Sequence, residues 1–396
     1  MLRKSLLELI YDGAHIQRWN DHIRPKGGFT ELDKQAHKMI IAYILGKFET
    51  DEKPDALNWR QLIEGGIFEF LHRIVLTDIK PPVFHELMDK HGDQLNNWVL
   101  GQLKNTMDCV GQDFYEKFAR YLSDTTYSAR EKKLLKAAHY LATEWEFRII
   151  YQLNSHIFGV EETKARIDNQ LEEHSDLAGV QKIGLSVRNR NFIDLIGQLR
   201  FQQRWTQSPR VPETSVMGHM LIVAMLAYFC SVESGACDKR LVNNYLTGLF
   251  HDLPEVLTRD IVSPIKSSVE GLGDLIKQIE TKQVEEKIFP LLPEAWRGEL
   301  SYFIENEFAN KIIVNGEIRI VKAEELGSTY NSPEYSPIDG EMIKGCDELA
   351  AYIEAKLSIA HGITSRYLRE GAVYLYKKNA NKKVAGIDFG QLFDYF

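Results

Sequence analysis

The sequence predicts an all-helical protein built as two tandem bundles, with one small β-hairpin inserted in the second. Three observations predict it. Apolar residues recur at helical spacing along most of the chain, and the pattern stops at Gly or Pro. The order of motifs in the first half returns in the second. One stretch, "NKIIVNGEIRIVKAE", breaks the helical pattern with β-branched runs either side of Asn315-Gly316, the pair that favours a two-residue hairpin turn.

The repeated elements run in order. "SLLELIYDGAHIQRWNDHIRP" lines up with "NFIDLIGQLRFQQRWTQSPRV", so Arg18-Trp19 pairs with Arg204-Trp205. "QAHKMIIAYILGKFE" then pairs with "MGHMLIVAMLAYFCS", aligning His37 with His219. "LIEGGIFEFLHRIVLTDIKPPV" pairs with "LVNNYLTGLFHDLPEVLTRDIVSPI", aligning His72 with His251. Last, "LLKAAHYLATEW" pairs with "MIKGCDELAAYIE", aligning His139 with Asp347. The expected domains are residues 1–188 and 189–396, joined near the polar stretch "GLSVRNRN". The hairpin, expected at about 310–322, lies in an insertion that the first half lacks and should form a flap.

Composition narrows the function classes. The 396 residues are 44% hydrophobic and 26% charged, enough for two cores. A formal net charge of −8 argues against general affinity for nucleic acid or a membrane surface, and leaves a small anionic substrate open. No apolar run reaches the ~18 residues of a membrane span, and the N-terminus lacks a signal-peptide pattern, so a cytoplasmic protein is expected. The four cysteines have neither disulfide-framework nor zinc-knuckle spacing.

Chemistry concentrates in the second half. His219, the pair His251-Asp252, and Asp347 lie on three separate helical segments. Two imidazoles and two carboxylates form a mixed nitrogen and oxygen set, suited to one Mn²⁺, Co²⁺, Fe²⁺, Ni²⁺ or Zn²⁺ ion with positions left for water and substrate. Adjacent His and Asp can share one ion only where a helix ends, and Pro254 two residues on supports such an end. Alone, Arg204 reads as a surface cation; repeated beside a Trp, it reads as a phosphate clamp. Glu255 and Asp260 are either helix-start carboxylates or acid–base groups. Trp205 is either core or a flank for a sugar.

His…His-Asp…Asp resembles the HD-domain metal-dependent phosphohydrolases. The likeness is closer to the bacterial HD-domain 5′-deoxynucleotidases (the YfbR-like group), in Arg204-Trp205, His219, "HDLPEVLTRD" with "SPIK", and "KGCDELAAYI". The resemblance, which runs across most of residues 200 to 360, implies an HD-type helical bundle there and hydrolysis of a (deoxy)nucleoside 5′-monophosphate with one divalent metal; the internal repeat extends that bundle to the first half. It implies His219, His251, Asp252 and Asp347 as ligands, Arg204 and Trp205 at the substrate, and catalytic roles for Arg204, Glu255 and Asp260. Asp260 stands where the family has its catalytic Asp. Other HD reactions, on cyclic nucleotides, nucleoside triphosphates or alarmones, remain open, as does a non-catalytic regulator binding nucleotide or metal. The first half has Arg73 aligned with Asp252 and His139 with Asp347. It is therefore expected to be a degenerate copy, and the chain either a monomer with pseudo-dimeric halves or a homodimer.

Overall fold

Each helix begins and ends where local chemistry allows. The chain is described by a computed structural model covering residues 1–259 and 269–396, and it divides into two units, Met1–Val180 and Gln181–Phe396. Asp260 and the "SPIK" of 263–266 lie outside the described residues.

In the first unit, α1 (Lys4–Asp12) buries Leu6, Leu7, Ile10 and Tyr11. An irregular segment then leads to Thr30, whose hydroxyl accepts from the Asp33 N–H while Asp33 bonds back to the Thr30 N–H. That reciprocal pair satisfies two orphan donors and starts α2 (Glu31–Glu52). Nearly every residue of α2 is buried, and α3 (Trp59–Leu76) and α6 (Ala129–Asn154) pack on it. Between them run α4 (Pro81–Met107), with a kink at His91, and α5 (Gln112–Ser123); α7 (Val160–Glu172) packs on α6.

The chain continues through α8 (Ala178–Leu185) into the second unit, where α9 (Val187–Gly197) is followed by the same kind of irregular segment. Ser215 caps α10 (Val216–Glu233) by accepting from the Gly218 N–H. This helix has the length and composition to cross a membrane, but 89% of it is buried within the unit, where it forms the core. Against it pack α11 (Asp238–Phe250) and, further along, the long helix that carries Asp347. The remaining α-helices among the described residues are α12 (Glu255–Thr258), α13 (Leu272–Gln283), α14 (Glu294–Ile304), α15 (Ala323–Ser328), α16 (Gly340–Ala360), α17 (Arg366–Asn379) and α18 (Phe389–Phe393). The fold class is thus all-α with small β additions.

The hairpin forms as its turn residues dictate. β1 (Lys311–Val314) pairs antiparallel with β2 (Glu317–Ile320), and Asn315 (φ 54°) and Gly316 (φ 81°) make the left-handed turn. β2 is exposed along its length, while the Lys311 side chain turns inward and donates to the Tyr302 (2.6 Å) and Glu305 (2.7 Å) carbonyls. A second hairpin, β3 (Lys383–Val384) with β4 (Ile387–Asp388), was not expected from the sequence.

Candidate metal and phosphate site of the second unit

Two devices bring the metal-type donors together. Gly248 lets α11 approach α10, because a Cβ there would lie 2.8 Å from Ala224 Cα. Two residues later α11 ends, and His251 and Asp252 occupy the turn before α12. The second device fixes the start of α16. Arg240 grips Asp339 with two 2.6 Å bonds, and Asn244 adds a third at 2.8 Å. All three side chains are buried, so the carboxylate is satisfied away from water.

The result is one cluster at the junction of α10, the α11 end and α16. Donor atoms of His219, His251 and Asp347 all lie within 4.8 Å of one another. Among the described residues no other such group of three occurs. Asp252 sits at its edge, with Oδ2 3.2 Å from His251 Nε2 and 3.5 Å from Arg204 Nη1.

Protonation is set by burial against charge. His251 Nδ1 lies 2.8 Å from the Gly248 carbonyl, which can only accept, so Nδ1 carries the hydrogen. The buried Nε2 then faces Asp252 without completing a hydrogen bond. Burial alone would lower the His251 pKa, yet Asp252 and Asp347 outweigh it and raise the value. Burial alone would raise both carboxylates; Lys344, His219 and His251 hold Asp347 well below the usual range, and His251, His219 and Arg204 hold Asp252 there. Two anions that stay ionised beside two imidazoles, one with its free nitrogen turned inward, fit a divalent cation.

The other predicted residues are placed as follows. Arg204 Nε donates to Glu354 Oε2 at 3.3 Å, which turns its Nη1 toward Asp252. Trp205 adopts φ 56° and donates from Nε1 to the same Glu354 oxygen at 3.0 Å. Its ring lies against Gly371 of α17, where an added Cβ would come within 2.7 Å. Glu255 is buried at the start of α12. A cavity of about 210 Å³ opens beside His251 and Pro254, walled by Ile276, Lys277, Glu280 and Phe289.

Two residues of the site were missed by sequence reasoning. Lys344 donates to Asp347 Oδ2 at 2.8 Å and covers the Phe308 ring; its spacing, one turn before Asp347, was the available signal. Glu354 is wholly buried and holds Arg204, Trp205, Thr214 and Arg210.

Several contacts of the second unit recur in the first, and they shift the pairing read from the sequence. Gln17 bridges Thr30 as Gln203 bridges Ser215. Arg18 N–H bonds the Phe29 carbonyl as Arg204 N–H bonds that of Thr214. Counting from those caps puts Lys34, not His37, at the place of His219. The close glycines, Gly66 against Met39 and Gly248 against Ala224, then put Glu69 at His251 and Phe70 at Asp252. His72 and Arg73 therefore do not correspond to the His-Asp pair, whereas His139 still corresponds to Asp347.

In the first unit Lys34 Nζ lies 3.0 Å from the His139 ring nitrogens, and Lys38 pairs with Glu69. Lysine amino groups thus stand among the side chains that replace the donor set, and burial together with Arg18 pushes the Lys34 pKa well below its ordinary value. His37 is fully buried with its ring edge-on to Trp145, centroids 5.0 Å apart. His72 bonds Asn96 at 3.0 Å.

Glu31 of this frame gives a pH prediction. Burial would raise its pKa, but Arg18, Lys34 and Arg73 together hold it at about 2 against an ordinary 4.5. A depressed carboxylate contributes stability that is present above pH 4.5 and is lost as pH falls toward 2. At 1.36 kcal/mol per pKa unit that amounts to about 3 kcal/mol. Glu31→Gln should therefore lose less stability than wild type over this window in urea unfolding followed by circular dichroism. Equal acid sensitivity of the two proteins would refute the assignment.

Comparison with known proteins agrees with this geometry. Residues 196–375, most of the second unit, match the HD domain family, a likeness that supports a hydrolase of the HD phosphohydrolase type. The relatives narrow the class. The chain is 28% identical over 128 residues to a 5′-deoxynucleotidase of Vibrio atlanticus, covering 32% of this chain and 66% of that protein, just under two thirds. It is 24% identical over 196 residues to a 5′-deoxynucleotidase of Vibrio cholerae, covering 48% and 92%. It is 24% identical over 179 residues to the 5′-deoxynucleotidase YfbR of Escherichia coli, covering 44% and 76%.

Proposed function

We propose that the second unit hydrolyses the phosphomonoester of (deoxy)nucleoside 5′-monophosphates with one divalent metal ion, held by His219, His251, Asp252 and Asp347. The observation that carries this reading is the convergence of His219, His251 and Asp347 within 4.8 Å, with Asp252 and Arg204 at its edge. The names of the relatives supply the substrate class. A divalent ion there supplies Lewis acidity and lowers the pKa of a water toward neutrality.

The chain's own side chains supply the rest. Arg204, held by its Nε edge, presents Nη1 to a phosphoryl oxygen beside Asp252. Lys344 adds a second cation on the far side of Asp347. Glu255 and Asp260 are the acid–base groups that orient water and protonate the leaving 5′-oxygen; for Asp260 the support is the resemblance alone. Trp205, bonded to Glu354 and packed on Gly371, braces Arg204 and flanks the sugar.

The test is the full-length protein with Mn²⁺ or Co²⁺ and a panel of deoxynucleoside and nucleoside monophosphates, cyclic nucleotides, triphosphates and alarmones, scored for product. Phosphate release from the 5′-monophosphates is expected. Turnover of another class alone would replace the substrate reading, and no turnover of any would favour a binding protein.

The first unit is, on the same reasoning, a non-catalytic copy, because Lys34 and Phe70 stand where a ligand and a carboxylate are needed. His37→Ala should therefore cost about 2 kcal/mol or more through lost packing against Trp145. Turnover per folded chain should stay near normal. Melting curves and nucleotide hydrolysis on the same sample check this, and loss of half the activity at unchanged stability would sink it.

A further inference from the structure

Glu354 makes five contacts from a side chain with no exposure to water. Oε2 accepts from Arg204 Nε (3.3 Å) and Trp205 Nε1 (3.0 Å) and lies 3.7 Å from Arg210 Nη1. Oε1 accepts from the Thr214 hydroxyl (2.9 Å) and faces the buried His219 Nδ1 at 3.4 Å without completing a hydrogen bond. On the other side of the ring, His219 Nε2 is 3.0 Å from Asp347 Oδ1. One carboxylate therefore stands behind both the imidazole and the guanidinium of the site.

The first unit separates these two jobs. There Glu146, also unexposed, accepts from Arg18 Nε (3.1 Å) and from Trp19 Nε1 (2.9 Å). Trp19 has the same left-handed backbone, φ 58°. Glu146 follows His139, and Glu354 follows Asp347, by the same seven residues. The Arg–Trp–Glu clamp thus occurs in both units, but Lys34 replaces the histidine in the first. Holding the clamp is common to the fold; backing an imidazole occurs in the second unit.

We propose that Glu354 is the positioning residue of the second unit: it holds His219 as an Nε2 ligand and aims Arg204 at the phosphate. The proposal rests on the reading of His219 as a metal ligand and Arg204 as the phosphate clamp. The physical reason is tautomer control. Here Nε2 is hydrogen-bonded to Asp347; where an ion displaces that bond, a carboxylate beside Nδ1 takes over the ring proton and leaves Nε2 its lone pair, and such partners also fix ring orientation and raise basicity. By its Nε bond the same group holds the guanidinium plane with Nη1 toward Asp252.

Glu354→Gln keeps the shape and removes the charge. Full-length protein is titrated with Co²⁺ against a chelator and followed by the cobalt absorption spectrum. The variant should bind Co²⁺ about 10- to 100-fold more weakly, the range for losing such a partner, with a changed spectrum. At saturating metal its KM for a 5′-monophosphate should rise. Glu146→Gln, the same change in the first unit, should lower the melting temperature and leave cobalt affinity untouched.

If Glu354→Gln does not fold, Glu354→Asp decides. It keeps the charge but draws back by one methylene; flexible Arg204 can follow it, whereas the unexposed His219 ring cannot. Weaker cobalt binding by a folded Asp variant supports the proposal. Unchanged cobalt affinity in the folded Gln variant, or in the Asp variant where only that one folds, overturns it. His219→Ala keeps the two readings apart. If it abolishes cobalt binding while Glu354→Gln does not alter it, the positioning role is wrong. If His219→Ala binds cobalt as wild type does, the ligand reading itself is wrong.

Discussion

Asp252→Ala is expected to lose its metal and, with it, measurable nucleotide hydrolysis. In wild type the Asp252 carboxylate lies 3.2 Å from His251 Nε2 and 3.5 Å from Arg204 Nη1. Burial works against its charge, and His251, His219 and Arg204 keep it ionised all the same. Alanine removes one anion from a donor set that needs both carboxylates to neutralise a divalent cation. It also leaves Arg204 facing the cluster with no acid between, which adds repulsion. Removing a mere partner of a ligand costs up to about 100-fold in metal affinity; removing the ligand should cost at least that. Elemental analysis after dialysis should find about one metal per wild-type chain and well under a tenth of that in the variant. Arg73→Ala, in the first unit, should keep full metal. Equal metal in wild type and Asp252→Ala would remove Asp252 from the ligand set.

The residues that converge, His219, His251 and Asp347, were legible because they are chemically unusual where they stand. An imidazole inside an all-apolar helix, as His219 is in "SVMGHMLIVAML", stands out from its surroundings. So does a His-Asp pair at the end of one. Asn315-Gly316 announced its turn for the same reason, since few other pairs take two positive φ angles readily. The second hairpin has Ala385-Gly386 at its turn, with Ala385 at φ 53°. Alanine gives no signal of that conformation, and strands of two residues carry no alternation to read.

The first unit was misread by three residues for a physical reason. Three residues is close to one helical turn, so sliding α2 by that amount keeps its apolar face in place. Hydrophobic pattern alone cannot choose between the two registers, and the identity of His37 with His219 favours the wrong one. The caps Thr30 and Ser215 fix the register, because each binds the first turn and bridges a glutamine upstream. The same correction gives the buried Lys34 its place, facing His139 as His219 faces Asp347. Glu354 and Glu146 went unread because an acid in a long helix is ordinarily solvated. Their common spacing after Asp347 and His139 was the signal that could have found them.

Arg204→Ala is expected to separate binding of the metal from use of it. Arg204 donates no ligand atom; it touches the cluster through Asp252 and is held from behind by Glu354. Its side chain is only 13% exposed, so the guanidinium meets a phosphoryl group in a poorly hydrated place, where a charge-assisted bond is strong. Phosphoryl transfer depends on positioning and on neutralising charge over the equatorial oxygens, so losing the clamp should lower kcat/KM by about 10²-fold or more. Metal content should stay at the wild-type level, since all four donors remain. Arg204→Lys should recover only part of the rate, because an ammonium keeps the charge but cannot bond Glu354 through one edge and phosphate through the other. The kinetics of both variants at saturating Mn²⁺, beside elemental analysis of the same samples, give the answer. Full activity in Arg204→Ala would take the arginine out of the mechanism. Loss of metal together with activity would instead make Arg204 a structural support for Asp252, with the phosphate clamp to be sought at Lys344.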